Sequence, residues 1–306
     1  MACILRRICA PTALILALCS LAPTTTAATQ NVAPRPSLTL SASRPTLRPG
    51  AVVLITATSS KAIVRMECEA FDRKWPVWPA DEAAGDWQML VAVPIEVAPG
   101  TIAVHVRTTH ADGGAGEQQM SLTVEAGRFA TRRLTVDPDL VKPPASAAAR
   151  IERESQALAA VFKQPSSTRH WKGSFSPPVP GTPTSSFGVQ SIFNGQPRGR
   201  HLGTDFRAAV GVPLRAPNAG VVVLTADRYF SGQTVVVDHG QGLFSLFAHL
   251  SRIAVATGDV VSRGALLGET GATGRVTGPH LHWAVRLRDE SVDPLSLLDA
   301  LGTLRD

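Results

Sequence analysis

The stretch TVVVDHGQGLFSLFAH, residues 234–249, decides the fold of the C-terminal part of this chain. Its two ends are rich in β-branched and aromatic residues, which favour strands. The Gly-rich segment between them is typical of a hairpin connection. Two further strands are predicted at 220–225 and 281–287, and Gly-rich loops lie at 258–264 and 268–278. Together they indicate a Gly-rich antiparallel β domain over residues 171–306.

Two clusters in this domain have the composition of a metal site. Arg200-His-Leu-Gly-Thr-Asp205 offers a histidine and a carboxylate, and Thr277-Gly-Pro-His-Leu-His282 offers two histidines. Zinc binds His nitrogen and Asp oxygen, and a catalytic zinc keeps one position open for water. Because strand residues two apart face the same side, His280 and His282 point together. Their spacing alone leaves open whether both bind the metal or one acts on the substrate.

With Leu246-Phe-Ala-His-Leu-Ser251, these segments resemble the three signatures of the lysostaphin-type (LytM-type) zinc metallopeptidases, which are peptidoglycan endopeptidases. The resemblance implies a Zn²⁺ cofactor and a hydrolysis reaction that uses a zinc-bound water. It also implies roles for individual residues. His201, Asp205 and His282 would bind zinc, His249 and His280 would be catalytic, and Asn194 would contact the substrate.

The chemistry of histidine suits the two catalytic positions. Imidazole titrates near neutral pH, so His249 and His280 can stabilise the oxyanion and protonate the leaving amine. Which of them does which stays open. One departure from the family pattern is Phe244 and Phe247, where members often carry tyrosines, and the lost hydroxyls are expected to affect substrate contacts only.

The N-terminal half has a different pattern. Six short predicted strands separated by turn signals favour an immunoglobulin-like β-sandwich over residues 29–126: 37–42, 52–58, 63–70, 88–93, 102–108 and 120–124. Alternation places Val64, Met66 and Cys68 on one strand face, with Cys68 as a buried, inert thiol, and His110 is expected in a solvated turn. The Trp75, Trp78 and Trp87 cluster is interpreted as cover for the sandwich, with glycan binding as the alternative. A linker with an amphipathic helix follows over residues 127–170.

Residues 1–28 read as an export signal. Arg6 and Arg7 precede a short apolar stretch, and Thr26-Ala27-Ala28 fits a cleavage site. An uncleaved anchor and a lipid-modified Cys19 are the competing interpretations. All cysteines except Cys68 lie in this segment. The exported chain would therefore keep one cysteine, which cannot form an internal disulfide. The net charge of +6 and pI of about 9.6 favour an anionic partner, but no basic run with aromatic residues indicates nucleic acid.

The sequence therefore predicts a periplasmic or secreted monomer, without a stable membrane anchor, that hydrolyses the peptide cross-links of peptidoglycan. Family members differ between glycyl-glycine bridges and direct D-amino-acid cross-links, and the export signal without a wall-anchoring repeat favours the direct ones. Two alternatives predict no cleavage. One is a non-catalytic LytM-type activator of cell-wall amidases, and the other is a metal-binding wall-adhesion module.

Overall fold

A computed structural model describes residues 38–80, 85–135 and 143–304, so the predicted export signal lies outside the described residues. The chain is mainly β, as predicted. The strands are β1 (Leu38–Ala42), β2 (Thr46–Leu47), β3 (Val52–Ser59), β4 (Ile63–Ala70), β5 (Arg73–Trp75), β6 (Val77–Pro79), β7 (Trp87–Ala92), β8 (Gly100–His110), β9 (Ala115–Val124), β10 (Thr131–Leu134), β11 (Pro183–Ser185), β12 (Gln190–Phe193), β13 (Gln196–Arg200), β14 (Thr204–Arg207), β15 (Pro213–Arg215), β16 (Gly220–Arg228), β17 (Gly232–Gly240), β18 (Leu243–Ile253), β19 (Val260–Val261), β20 (Leu266–Thr270), β21 (His280–Leu287) and β22 (Glu290–Val292). The α-helices are the linker helix (Ala148–Phe162), which follows a 3₁₀ turn at Ala145–Ala147, and the C-terminal helix (Pro294–Leu301).

The first nine strands form two sheets, in the orders β1-β3-β7-β6 and β2-β9-β8-β4-β5. Strands β4 and β5 of the second sheet contact β7 of the first, and both sheets contribute to one hydrophobic core. Strand β3 is buried along 52–55 on both of its faces, because the C-terminal helix packs against it as well. The strand order is compatible with the predicted immunoglobulin-like sandwich, and that class assignment stays a prediction.

Two details of the sandwich differ from the sequence predictions. Val64 is 60% exposed and does not share the buried face of Met66 and Cys68, because a bulge between Ile63 and Arg65 shifts the register of β4. His110, expected in a solvated turn, is only 2% exposed. Strand β8 continues to this residue, so alternation places its side chain on the buried face. Trp75 and Trp78 are buried, as their assigned covering role requires.

Ten of the twelve strands from β11 to β22 form one sheet with the main order β11-β14-β21-β18-β17-β16-β19, whereas β12 and β13 form a separate sheet with β10. The predicted hairpin is the β17–β18 pair at its centre. The sequence patterns missed most of the short strands, and they missed the C-terminal helix. That helix begins after Asp293, whose carboxylate accepts the backbone N–H of Leu295 at 3.0 Å, with Pro294 in its first turn.

Residues of the predicted linker attach firmly to the C-terminal sheet. The linker helix is amphipathic, as predicted, and its Phe162 ring meets Phe244 edge-on at 5.3 Å. Glu154 on the same helix accepts the backbone N–H of Tyr229 at 2.8 Å. Strand β10 pairs in parallel with β12 and so joins the β12–β13 hairpin. None of the described helices is both long enough and apolar enough to cross a membrane.

The sandwich also contacts the C-terminal part directly. The Trp78 ring lies edge-on against Trp171, with centroids 5.2 Å apart, and the Arg169 guanidinium packs over both. The carbonyl of Gly50 accepts the backbone N–H of Asp293 at 2.8 Å. The tryptophan that covers the sandwich therefore lies where the sandwich meets the C-terminal part.

Candidate active site

Three adjacent strands, β14, β21 and β18, carry the predicted site. Asp205 on β14 lies directly opposite His282 on β21, whose other neighbour is Ala248 on β18. Burial alternates along β21, with Leu281 and Trp283 fully buried while the histidines are partly exposed. His280 and His282 therefore share one face, as their spacing predicts.

The three predicted ligands meet at one point. The Asp205 Oδ1 atom lies 2.9 Å from His201 Nε2 and 2.9 Å from His282 Nδ1, and these two nitrogens are 3.0 Å apart. The other ring nitrogen of His201, Nδ1, donates to the carbonyl of Ser186 at 3.0 Å, so Nε2 is the atom that either shares a proton with the carboxylate or binds a metal ion. Two imidazole nitrogens and a carboxylate oxygen in such a triangle are a donor set that fits zinc.

The protonation of these groups suits a cation. Burial opposes the charge of Asp205, but hydrogen bonds from His201 and His282 outweigh it and hold its pKa well below the ordinary value. Burial also opposes the charge of His201, yet the bond to Asp205 raises its pKa, whereas burial lowers the pKa of His282. The carboxylate thus stays ionised, and a metal ion can replace the proton that the triad otherwise shares.

Gly203 lets the two clusters approach each other. A Cβ atom at this position would lie 2.6 Å from His282 Cε1 and 2.7 Å from the carbonyl oxygen of Trp283. Both distances are far below van der Waals contact. The glycine inside the His-Leu-Gly-Thr-Asp cluster is therefore required for the backbone to pass beside the His282 ring.

His249 reaches the same face through an irregular backbone. Leu246 and Ala248 line the groove, so regular alternation would turn His249 into the core. Its φ of 65° lies in the left-handed region. The residue lies at a bulge, where Gln233 and Val235 of β17 pair with Leu250 and Phe247 of β18, so that β18 has one residue more than β17. The alternation is broken there: His249 lines the groove and the next residue is buried. Left-handed non-glycine residues of this kind concentrate at functional sites.

His249 and His280 are held as a pair, with ring centroids 4.9 Å apart. The His249 Nδ1 donates to the carbonyl of Thr273 at 2.9 Å, and the His280 Nδ1 donates to that of Gly278 at 2.8 Å. Because a carbonyl only accepts, each neutral ring keeps its lone pair on Nε2. Burial lowers the pKa of His249 to about 4, which keeps this ring neutral at physiological pH. The His280 Nε2 lies 3.8 Å from Asp205 Oδ1, next to the triad.

Comparison with known proteins agrees with this geometry, since residues 199–294 match the model of Peptidase family M23. The chain belongs to peptidase family M23. Over 95 residues it is 43% identical to the peptidoglycan DD-endopeptidase ShyA of Vibrio cholerae, an alignment that covers 31% of this chain and 22% of that protein. It is 39% identical over 97 residues to the DD-carboxypeptidase/endopeptidase Mpg of Neisseria meningitidis, covering 32% and 22%. The resemblance to lysostaphin-type peptidases is thereby confirmed.

A solved structure extends the likeness beyond the M23 domain. A crystal structure from Pseudomonas aeruginosa, described as a peptidase M23, aligns with 84% of this chain and 96% of its own, at 32% identity and a TM-score of 0.62. That coverage includes residues before position 199. By contrast, the alignments with the two curated relatives span only 22% of their lengths.

The groove that contains the triad has a volume of about 750 Å³ and a basic lining. Asp205 is the one acidic residue among the described residues that line it. Its arginines are Arg132, Arg198, Arg200, Arg207, Arg228 and Arg275. No sequence pattern indicated them as a group, because they come from five separate segments. Only Arg207 carried a signal, since it lies two residues after Asp205 on the same strand.

Asn194 and the two phenylalanines lie outside this lining. Asn194, with a φ of 49°, begins the Asn-Gly turn between β12 and β13 and is exposed, while its neighbour Phe193 lines the groove. Its substrate contact stays a prediction. Phe244 and Phe247 are buried, so the expectation that their missing hydroxyls affect substrate contacts is wrong. Phe247 stacks on Trp283, on the buried side of the strand that carries His280 and His282.

Proposed function

We propose that this protein is an exported zinc endopeptidase that hydrolyses peptide cross-links of peptidoglycan. The observation that carries the proposal is the triangle of His201, Asp205 and His282, with the lone pairs of two further histidines beside it. The names of the related endopeptidases support peptidoglycan as the substrate. They also favour direct cross-links between D-amino acids over glycyl bridges.

In this proposal the triad holds the metal and the second pair of histidines handles protons. Zinc, when bound, polarises the scissile carbonyl and lowers the pKa of water towards about 7. Hydrolysis joins a water oxygen to the carbonyl carbon, breaks the C–N bond and moves one proton from water to the leaving amine. His249 and His280 each use Nδ1 to donate to a carbonyl, so their Nε2 atoms are placed to accept that proton and to deliver it.

The site of action follows from the same proposal. The substrate lies outside the cytoplasm, and the predicted signal over residues 1–28 would bring the chain there as a periplasmic or secreted monomer. A cytoplasmic location of the full chain, measured by cell fractionation with an antibody, would contradict this part.

The test is digestion of purified sacculi by the full chain, with and without a chelator. We expect the release of peptide ends, its loss with chelator and its recovery with Zn²⁺. His282→Ala should lose the metal, whereas His249→Asn should keep it and stop turnover, since its ring lies outside the triangle. His105→Asn in the sandwich is the matched control and should retain both properties.

Two results would refute these assignments. Sacculi that release no peptide ends under any metal condition would reject the enzyme. In that case, stimulation of a cell-wall amidase by the same preparation would support the non-catalytic activator. Loss of the metal from His249→Asn would show that the roles of ligand and proton carrier are assigned wrongly.

A further inference from the structure

His249 is hydrogen-bonded to two segments outside its own strand, the turn between β16 and β17 and the loop between β20 and β21. Its backbone N–H donates to the carbonyl of Ser231 in the turn at 2.8 Å. Its ring Nδ1 donates to the carbonyl of Thr273 in the loop at 2.9 Å. A left-handed backbone is strained for a residue with a side chain and persists only where the surrounding structure holds it. The turn thus holds the backbone of His249, and the loop holds its ring.

The side chain of Thr273 fixes the carbonyl that the ring contacts. Its hydroxyl donates to the carbonyl of Leu250 at 2.7 Å and accepts the backbone N–H of Gln233 at 2.9 Å. A hydroxyl has one proton to donate and two lone pairs, so it can form both bonds at once. Gln233 and Leu250 are register partners beside the bulge of β18, so the hydroxyl links the two strands where their regular pairing breaks. Since Leu250 directly follows His249, one residue fixes both the backbone after His249 and the orientation of its ring.

We propose that Thr273 is a positioning residue for His249, and that its hydroxyl sets the turnover rate without contact to metal or substrate. The inference rests on the proposed function, because it assumes that His249 moves a proton during peptide hydrolysis. With Nδ1 engaged by the loop carbonyl, Nε2 is the ring nitrogen left to act. A carrier misplaced by about 1 Å slows such a reaction on the order of a hundredfold.

The position of the hydroxyl separates this role from metal and substrate binding. Its partners lie on β17 and β18, whereas the triad comes from β14, β21 and the segment before β14. Among the described residues, Thr273 does not line the groove. Loss of the hydroxyl would therefore release the carbonyl and the His249 ring, while the triad stays assembled.

The chain offers a conservative variant and a matched control. Thr273→Ser keeps the hydroxyl and loses a methyl group, whereas Thr273→Val keeps the shape and loses both hydrogen bonds. Thr257, in the loop between β18 and β19, forms a similar bond away from the groove, because its hydroxyl accepts the backbone N–H of Thr225 on β16 at 3.1 Å. A general effect of such a bond on the sheet would appear in Thr257→Val as well, whereas positioning of His249 acts through Thr273 alone.

The first measurement is the NMR signal of the His249 Nδ1 proton in the zinc-free full chain at pH 7, assigned by its absence from His249→Asn. We expect the wild type, Thr273→Ser and Thr257→Val to show it, because the hydrogen bond slows its exchange with water. Thr273→Val should lose the signal. Gly232→Ala should lose it with the hydroxyl intact, since the added Cβ would lie 2.6 Å from the carbonyl oxygen of Thr273.

The second measurement is steady-state cleavage of a synthetic cross-linked peptide dimer by the zinc-loaded full chain. Thr273→Val should lower kcat about thirtyfold, with KM within about twofold of the wild type and an unchanged zinc content by atomic absorption. Thr273→Ser should keep kcat within about threefold of the wild type, and Thr257→Val should match it. A merely structural role of Thr273 would instead lower the zinc content or raise KM.

The outcomes separate this inference from the proposed function. A wild type without the His249 Nδ1 signal overturns the inference, even where Thr273→Val fails to fold. Wild-type kcat in Thr273→Val, loss of its zinc, or no recovery in Thr273→Ser also overturns it and leaves the endopeptidase standing. A chain that cleaves nothing, but whose His249 signal requires the Thr273 hydroxyl, rejects the endopeptidase and supports the positioning of the ring.

Discussion

Lowering the pH from 7 to 4.5 should destabilise the M23 domain through His239, a histidine buried behind the site. Its ring is fully buried and its hydrogen bonds have a fixed direction. The Nδ1 atom donates to the carbonyl of Ala219 at 2.8 Å, so Nε2 must accept the hydroxyl proton of Ser245 at 3.0 Å. The Ser245 oxygen in turn accepts the indole N–H of Trp283 at 3.2 Å. A second proton on His239 would place a charge in the core and oppose the Ser245 donor.

The magnitude follows from the pKa of this ring. Burial lowers it from 6.5 to about 4. Between these values the unfolded chain binds more protons than the folded one, so the free energy of unfolding rises with pH across this window and falls on acidification. The expected loss between pH 7 and 4.5 is about 2 kcal/mol from His239 alone.

The assay is urea unfolding of the zinc-free chain at both pH values, for the wild type and for His239→Gln. The amide side chain cannot titrate, and the metal-site histidines titrate equally in both proteins, so the difference between them isolates His239. The variant should be less stable at pH 7 but should lose about 2 kcal/mol less on acidification. The same loss in both proteins, or an NMR titration of His239 with a midpoint near 6.5 in the folded state, would refute the reasoning.

Two glycines give further predictions. Gly203→Ala should lower zinc content, measured by atomic absorption, because its Cβ would meet the His282 ring at 2.6 Å; full zinc content would mean that the backbone shifts without strain. Gly50→Ala should destabilise the contact between the sandwich and the C-terminal part by about 1–3 kcal/mol, since its Cβ would meet Phe187 and its φ is 84°. A thermal unfolding midpoint equal to that of the wild type would contradict it.

Regular alternation explains what the sequence could predict of the site. Along β21 it places His280 and His282 on one face without knowledge of the fold, and the structure agrees. The same rule fails at His249, because a bulge and a left-handed backbone turn that ring towards the groove. Only the family resemblance indicated His249, since bulges arise from the pairing of distant strands and leave no periodic signal.

The core strands were predictable for a similar reason. Strands β3, β8 and β18 are long and rich in hydrophobic residues, which is a local pattern that predicts a strand. Strand β10 is short, and its residues TRRL carry no such signal. It exists because β12 offers a free edge for pairing. Its register is thus a property of its pairing with β12 in the folded chain rather than of its own sequence.

That pairing has a consequence for specificity. The family match spans residues 199–294 and contains the whole metal triad and the histidine pair, but Arg132 and Leu158, which also line the groove, lie outside it. They are held in place by β10 and by the linker helix, whose Glu154 accepts the N–H of Tyr229. Proteins with the same triad and histidine pair can therefore differ in the groove-lining residues that β10 and the linker helix contribute. Substitutions there would change which peptide binds while the triad and the proton-carrying histidines stay as they are.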